Sequence, residues 1–208
     1  MGELVLGCLP SSLDGTEKIY NVETEITIPE EYSYEGVLPS VLNQGNEEIC
    51  VPCTLSSYVN WKINLKDGSN KDNDIALYEI YHSRTNAGEG MTYKDALKFI
   101  NKIGVNTNDG LFKVLSYGMV KSDMLLKYAL IMNGPCFGAL PVYGSNCKFW
   151  QKTPGISFKG YHAIAIVGYN KDGFIIRNSW GKEYCQNGYS VLPYKEFNKL
   201  LEIWTIIE

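Results

Sequence analysis

The chain has 208 residues, of which 45% are hydrophobic and 20% are charged, and its formal net charge is −4. This composition is typical of a globular protein, and a chain of this length buries a sizeable core without disulfides or a metal. The sequence has no run of Lys and Arg, which argues against nucleic acid as the main partner. It also has no stretch of 18 apolar residues, so no membrane span is predicted.

Residues 1–34 lack a helical period and are rich in turn-forming residues, so we predict an extended arm that lies over the body of the protein. The acidic start of this arm and its short apolar run do not resemble a signal peptide. We therefore expect a cytoplasmic or virion-associated protein. Asn, Lys, Ile and Tyr are plentiful, which favours an AT-rich genome such as that of a low-GC bacterium or its phage.

Four helices are predicted in the next part of the chain, where apolar residues recur at helical spacing. The first begins at Cys50, carries Pro52 in its first turn and ends in the segment KDGSN. Polar residues that cap helix N-termini open the other three, and Gly104 and Gly134 end the last two. The capping residues are Asp72 or Asp74, then Thr92, and then Ser122.

The last third of the chain is predicted to form strands, because its segments are rich in β-branched and aromatic residues. These segments are CFGALPVY, HAIAIVGY, GFIIRNSW, GYSVLP and LEIWTII, and Asp172-Gly173 predicts a hairpin turn between the second and the third. Helices thus come early and antiparallel strands late, which predicts an α+β fold of two lobes with a cleft between them. We expect a single domain over residues 1–208, with a mainly helical lobe at 35–130 and a mainly β lobe at 131–208.

The segment NQGNEEICVPC, residues 43–53, places Cys50 at the start of the first predicted helix. A cysteine attacks a carbonyl carbon only as the thiolate, and a helix N-terminus together with an imidazolium lowers the thiol pKa. The chain has only two histidines, His82 and His162. His162 begins a strand of the second lobe and Asn178 ends the neighbouring strand, so these two side chains can meet and can face Cys50 across the cleft.

Other roles for the cysteines stay open on these grounds. Cys50 and Cys53 have the spacing of a zinc-binding pair or a redox pair, and they also fit buried structural thiols. Neither a second zinc-binding pair nor a βαβ unit accompanies them, and core packing accounts for Cys53. Cys136, Cys147 and Cys185 are expected to be structural thiols, with a Cys136–Cys147 bridge as the alternative. We expect neither a metal nor a cofactor.

Three motifs, in this order, resemble those of papain-like cysteine peptidases, closest to prokaryotic and phage-type members. NQGNEEICVPCTLSS resembles the nucleophile segment, YHAIAIVGY the histidine strand, and IIRNSWG followed by NGY the asparagine motif. The resemblance implies a papain-like two-lobed fold and a peptidase with Cys50 as nucleophile, His162 as proton carrier and Asn178 as the residue that orients the histidine. Gln44 matches the glutamine of the oxyanion hole, which the Cys50 backbone N–H completes.

The resemblance also implies where a peptide or protein substrate binds. Residues 86–90, NAGEG, resemble the glycine-rich loop that forms hydrogen bonds with the substrate backbone. Ala163, together with Leu140 and Pro193, is a candidate for an apolar pocket, which would favour a hydrophobic residue one position before the cleavage residue. The residues expected to contact substrate or to cover the histidine are Gly88, Gly90, Ala163 and Trp180.

The sequence departs from the family pattern just before the nucleophile, where Glu48-Ile49 replaces Gly-Ser. This departure supports an alternative function, that of a catalytically weakened or inactive relative serving as a structural or binding subunit, for example in a phage particle. A third interpretation is an acyl transferase or amidase that uses the same residues. Glu47 replaces a cysteine that usually forms a disulfide, which favours a reducing compartment. The arm of residues 1–34 either lies across the cleft as a short inhibitor or packs on the body.

Overall fold

The computed structural model of the protein describes residues 5–22, 26–68, 74–84 and 90–207. The helices in these ranges are α1 (Cys50–Asp67), α2 (Asp74–His82), α3 (Tyr93–Lys102), α4 (Asp123–Asn133) and a 3-10 helix at Tyr194–Lys199. The strands are β1 (Cys8–Leu9), β2 (Tyr32–Ser33), β3 (Met91–Thr92), β4 (Val105–Thr107), β5 (Gly110–Phe112), β6 (Ser116–Met119), β7 (Cys136–Val142), β8 (Gly160–Asn170), β9 (Gly173–Arg177), β10 (Tyr189–Pro193) and β11 (Glu202–Ile207). None of these helices is both long and apolar enough to cross a membrane.

The predicted helix boundaries follow from local chemistry. The Thr92 hydroxyl accepts a hydrogen bond from the Asp95 backbone N–H at the start of α3. The Ser122 hydroxyl accepts one from the Leu125 N–H at the start of α4 in the same way. Helix α1 begins at Cys50 and has no side-chain cap, so the positive end of its dipole faces the cysteine without a competing side chain.

One large sheet forms the second half of the fold, with the strand order β10-β9-β8-β7-β11-β6. Every neighbouring pair in this order is antiparallel, and β8 and β9 join in the hairpin expected at Asp172-Gly173. The expected α+β fold, with helices first and an antiparallel sheet later, is therefore confirmed. The short strands β3 to β6 were not predicted, because segments of two to four residues carry too little period to be recognised.

Two apolar clusters cover the two faces of this sheet. Strand β8 is buried on both faces, since Ala163 and Ala165 belong to the first cluster whereas Ile164 and Ile166 belong to the second. Side chains of α1 and α3 complete the first cluster, and side chains of α4 complete the second. The strand is an uninterrupted apolar run for this reason, and the first cluster lies where the helical half meets the sheet.

The N-terminal segment joins the two halves of the fold. Strand β1 pairs in parallel with β3 of the helical half, and Cys8 pairs antiparallel with Tyr161 of β8. Further along, Lys94 Nζ forms ion pairs with Asp14 and Glu17, at 3.2 and 2.6 Å. The segment thus lies along the boundary between the halves. The division of the chain at residues 34 and 130 stays a prediction.

A disulfide joins Cys147, in the loop after β7, to Cys185, in the loop before β10, with 5.6 Å between their Cα atoms. The expectation that both are free thiols was wrong, and so was the alternative Cys136–Cys147 bridge. Cys136 is a free, buried cysteine, because its side chain points from β7 into the second cluster. The bridge closes a loop across 38 positions of sequence, a partner choice that only the tertiary fold decides.

Replacing both bridge cysteines, Cys147→Ser with Cys185→Ser, is expected to lower the free energy of unfolding by about 2–4 kcal/mol, because the unfolded chain gains loop entropy. Urea unfolding of the oxidised protein measures this loss. A Cys136→Ala variant is the control and should keep the bridge. Peptide mapping without reductant should yield the Cys147–Cys185 crosslinked peptide, and a crosslink to Cys136 would contradict the assignment.

Candidate active site

The Cys50 thiol lies at the N-terminus of α1 and is completely buried. Burial raises its pKa to about 11, while backbone N–H groups of Ala163 and Gly7 that form hydrogen bonds to the sulfur oppose this rise. Ala163 directly follows His162 in β8, so the backbone of the residue next to the histidine contacts the Cys50 sulfur. In this state the thiol is protonated at neutral pH.

His162 is also completely buried, and its ring orientation is fixed by Asn178. His162 Nε2 lies 2.7 Å from Asn178 Oδ1, and the Ser179 backbone N–H donates to the same oxygen. Because this oxygen only accepts, Nε2 carries the hydrogen of the neutral ring and Nδ1 keeps its lone pair. Nδ1 has no hydrogen-bond partner within the described residues, so its lone pair is not engaged there.

Aromatic rings shield the histidine from water. Trp180 stacks on the His162 ring with 4.4 Å between centroids, and Phe149 contacts it edge-on at 5.7 Å. Burial lowers the pKa of His162 to about 4, although the hydrogen bond to Asn178 favours the protonated form. The disulfide at Cys147 and Cys185 connects the two loops that carry these rings.

Gln44 belongs to the same hydrogen-bond network. Its Oε1 accepts from the Ser179 hydroxyl at 2.6 Å, and its backbone N–H donates to the Ser179 carbonyl at 2.8 Å. Its Nε2 donates to the carbonyl oxygens of Glu47 at 2.9 Å and Val5 at 3.2 Å. Ser179 lies within the asparagine motif, but its local sequence does not reveal this role, because its link to Gln44 spans 135 positions.

Residues 5–9 of the arm fill the groove above these groups. The Val5 carbonyl oxygen accepts a hydrogen bond from Gln44 Nε2, and the Gly7 backbone N–H donates one to the Cys50 sulfur. A Cβ at Gly7 would come within 2.2 Å of the Glu48 carbonyl oxygen, so only glycine fits this close approach. Residues 5–9 thus lie across the cleft, whereas the end of the arm packs on the body, where β2 pairs with β8, and the role of the arm as an inhibitor stays a prediction.

The predicted substrate-contact residues have different surroundings. Gly90 lies against the arm, because a Cβ there would be 3.1 Å from the Gly7 carbonyl oxygen. Gly88 lies outside the described residues. Leu140 does not line the groove, since it packs in the second cluster on the opposite face of β7, and Pro193 ends the edge strand β10. The contacts of Gly88, Gly90, Ala163 and Trp180 with a substrate stay predictions.

Cys50 and Cys53 do not form one site. Cys53 packs with Ile49 and Leu77 in a separate small cluster, whereas Cys50 belongs to the first cluster. Neither cysteine forms a disulfide. Within the part of the chain that the structure describes, no group of three or more His, Cys, Asp or Glu residues is placed to hold a metal ion. Packing in the small cluster with Cys53 and Leu77 also turns Ile49 away from the groove.

Comparison with known proteins agrees with this geometry. The family model described as "Papain family cysteine protease" matches residues 50–201. The chain belongs to this family. Among its papain-family relatives, the cathepsin B-like CP1 of Giardia intestinalis is 35% identical over 89 residues, which cover 38% of this chain and 29% of that protein. A peptidase C1-like protein of Acanthamoeba polyphaga mimivirus is 41% identical over 54 residues, 17% of its length. The chain thus matches less than a third of each of these two relatives.

Solved papain-family structures share the whole architecture. Xylellain, a cysteine protease from Xylella fastidiosa, matches with a TM-score of 0.80 and 22% identity over 97% of this chain and 95% of its own. The procathepsin B S9 of Trypanosoma congolense matches with a TM-score of 0.78 and 13% identity over 98% and 87%. At these identities the likeness shows the fold alone, and the predicted papain-like two-lobed fold is confirmed.

The depressed pKa of His162 predicts loss of stability in acid. Its folded value is about 4, against 6.5 for the free group, so between these values the unfolded state binds a proton that the folded state does not. The free energy of unfolding should therefore fall as pH drops from about 6.5 through 4, by up to about 3 kcal/mol. Urea unfolding at about pH 7 and about pH 4.5 measures the change.

The matched variant for this experiment is His162→Gln, in which the acid-dependent loss should shrink. Asp14 and Glu17, whose pKa values are lowered by hydrogen bonds with Thr16 and Lys94 respectively, also favour unfolding in acid, and they contribute equally in both proteins. An unchanged pH dependence in His162→Gln would show that the histidine is not held neutral by burial.

The close approach of Gly7 to Glu48 predicts that Gly7→Ala displaces the arm. The Cβ would meet backbone rather than a flexible side chain, so the arm must shift. Labelling of Cys50 by iodoacetamide should accelerate on the order of tenfold, the effect of 1–2 kcal/mol of strain. Gly36→Ala is the control, because no atom lies within 4 Å of its added Cβ. Equal labelling rates in the two variants would contradict a seated arm.

Proposed function

We propose that the chain is a cysteine endopeptidase that cleaves peptide bonds through an acyl-enzyme at Cys50. The observation that carries this proposal is the hydrogen bond from His162 Nε2 to Asn178 Oδ1, which leaves Nδ1 with a free lone pair, while the backbone of the next residue, Ala163, contacts the Cys50 sulfur at a helix N-terminus. This is the arrangement that an imidazole needs to take the proton of a thiol and return it to a leaving group.

The reaction follows from these positions. His162 Nδ1 takes the Cys50 proton, and the thiolate, stabilised by the α1 N-terminus, attacks the substrate carbonyl carbon. The resulting oxyanion accepts hydrogen bonds from Gln44 Nε2 and the Cys50 backbone N–H. The imidazolium then protonates the leaving amine as the C–N bond breaks. Water, deprotonated by His162, hydrolyses the thioester and restores the thiol.

The arm must leave the groove before a substrate binds. With the arm in place, Gln44 Nε2 donates a hydrogen bond to the Val5 carbonyl oxygen. Burial then favours the neutral forms of both Cys50 and His162. Solvent entry removes the burial that raises the cysteine pKa, and the ion pair then becomes accessible. The described state is therefore a resting state of the proposed enzyme.

The course of the arm supports an endopeptidase acting on peptide or protein substrates. The arm extends along the groove on both sides of Cys50, with Val5 and Leu6 on one side and Cys8 and Leu9 on the other. A groove that accommodates an extended chain on both sides of the nucleophile accepts an internal peptide bond. Ile49 of the Glu48-Ile49 departure does not obstruct it, because Ile49 packs away from the groove.

Two further proposals concern the branch of the family to which the chain belongs and the location of the protein. Xylellain supports a kinship with prokaryotic or phage-type members, since it matches over nearly the full length of both chains. A cytoplasmic or virion-associated location stays a proposal. The Cys147–Cys185 bridge speaks against a strongly reducing compartment, because disulfides persist mainly where thiols are not kept reduced. Assembly into a larger particle also stays a proposal.

Cys50→Ala is expected to abolish cleavage of fluorogenic peptides, with a loss of at least about a thousandfold in kcat/KM. The same variant should lose labelling by a thiol-trapping epoxide. Cys53→Ala is the matched control on the same helix and should keep both, because Cys53 packs in a separate cluster. Loss of labelling in Cys53→Ala with retention in Cys50→Ala would overturn the assignment of the nucleophile.

A further inference from the structure

Large apolar side chains are exposed together on the helical half, at the end of α1 that is remote from Cys50. Leu115 is 78% exposed and Leu111 is 60% exposed. Lys66, in the last turn of α1, lies about 24 Å along the helix from Cys50, so this region is separate from the proposed active site. A concentration of exposed apolar side chains marks a surface that contacts another molecule. The exposed apolar residues of this region are Leu65, Ile75, Tyr78, Ile103, Leu111 and Leu115.

Two grooves adjoin here, and Leu111 lines both of them. The first groove has a volume of about 670 Å³ and lies between the end of α1 and β5, with Leu65 and Leu115 in its lining. The second has a volume of about 510 Å³ and lies between α2 and the end of α3, with Tyr78 and Ile103 in its lining. Together the two grooves form the hairpin surface, so named for the hairpin of β4 and β5.

The hairpin is held in place by contacts on both of its strands. Asn106 of β4 donates from its backbone N–H and its Nδ2 to the Glu79 carboxylate of α2, at 2.6 and 2.7 Å. A Cβ at Gly104 would lie 3.0 Å from Leu111 Cδ1 and 2.7 Å from Lys113 Cγ, so these side chains pack closely on the end of α3. The hairpin surface is therefore formed before a partner arrives, which lowers the entropy that binding costs.

The first groove carries positive charge. Among the described residues of its lining, Lys62, Lys66 and Lys113 are cationic, whereas Asp109 is the one acidic residue. The chain as a whole has a formal net charge of −4, so this groove differs in sign from the molecule that contains it. A partner that presents carboxylates next to apolar side chains complements both features of the groove.

The hairpin also offers backbone groups to a partner. Strands β4 and β5 form a sheet of their own, and no other described strand extends it. Gly110, Leu111 and Phe112 of β5 line the first groove. The edge of a strand presents N–H and C=O groups with which an extended peptide can pair. This edge favours a peptide over a lipid as the occupant, because the hydrocarbon chain of a lipid cannot form these hydrogen bonds.

We infer that the hairpin surface binds an extended segment of a partner protein that carries both apolar and acidic side chains. The segment pairs with β5, its apolar side chains enter the two grooves, and its carboxylates lie near Lys66 and Lys113. This binding does not depend on the proposed peptidase activity.

The probe is a short fluorescein-labelled peptide in which leucine alternates with glutamate, and fluorescence anisotropy measures its binding. The full-length chain carrying Cys50→Ala is used, so that the probe is not cleaved. A second peptide with lysine in place of glutamate should bind about tenfold more weakly, because like charges then face each other. Leu111→Ser should weaken binding of the glutamate peptide about tenfold, since an exposed leucine loses the apolar area that the partner covers.

A charge reversal tests the electrostatic part separately. Lys66→Glu should weaken binding of the glutamate peptide about fivefold and strengthen binding of the lysine peptide, since exposed charges contribute modestly. The matched controls are Lys121→Glu and Met124→Ser, near the start of α4. Both residues are exposed and line neither groove, so these variants should bind the glutamate peptide as the unaltered surface does.

Four results would overturn the inference. The first two are absence of binding by the glutamate peptide and equal binding of the two peptides. The third is self-association in sedimentation that Leu111→Ser abolishes, which would make the surface a contact between copies of the chain. The fourth is binding to phosphatidylglycerol vesicles, but not to the peptide, that Leu111→Ser abolishes.

The binding test and the test of the proposed function have separate readouts. Cleavage of fluorogenic peptides is measured on the chain that retains Cys50, and Leu111→Ser should leave it unchanged. Loss of cleavage in the unaltered chain would contradict the peptidase and leave the hairpin surface standing. The comparison of the two peptides on the unaltered surface, together with Lys66→Glu, is decisive even if Leu111→Ser does not fold.

Discussion

The hydrogen bond between His162 Nε2 and Asn178 Oδ1 is the contact on which the site depends. It determines which ring nitrogen carries the proton, and so which nitrogen is left for Cys50. The same amide oxygen accepts the Ser179 N–H, and Ser179 in turn bonds to Gln44. One network thus connects β8, the end of β9 and the segment before α1. His162 and Gln44, the proposed proton carrier and oxyanion donor, cannot move independently, which preserves their relative geometry.

The protonation of Cys50 and His162 depends on whether the arm closes the groove or water enters it. With the arm seated, the apolar surroundings favour a neutral thiol and a neutral imidazole, so the proposed nucleophile and proton carrier are held in their uncharged forms. The helix dipole of α1 and the hydrogen bond to Asn178 favour the charged pair, but they do not outweigh desolvation in a closed groove. The residues are the same in both states, and access of water decides between them.

The arm also follows the course of the groove. Its strand bonds to β3 on one side and to β8 on the other, which are the backbone edges available to any extended peptide. Cys8 packs in the same apolar cluster as Ala139 and Ala163, and the Ser11 backbone N–H donates to the buried carboxylate of Glu202.

The sequence by itself predicted Cys50, His162, Asn178 and Gln44 as site residues, because each lies in a short motif whose neighbours carry the signal. The caps of α3 and α4 and the β8–β9 hairpin were predictable for the same reason, since their interactions span three or four residues. The tertiary structure alone decided the Cys147–Cys185 pairing, the seat of the arm, the link from Ser179 to Gln44 and the facing of Glu202. These depend on strand register and on contacts between distant segments. A register shift of one residue would turn Glu202 to the other face without any change in its local sequence.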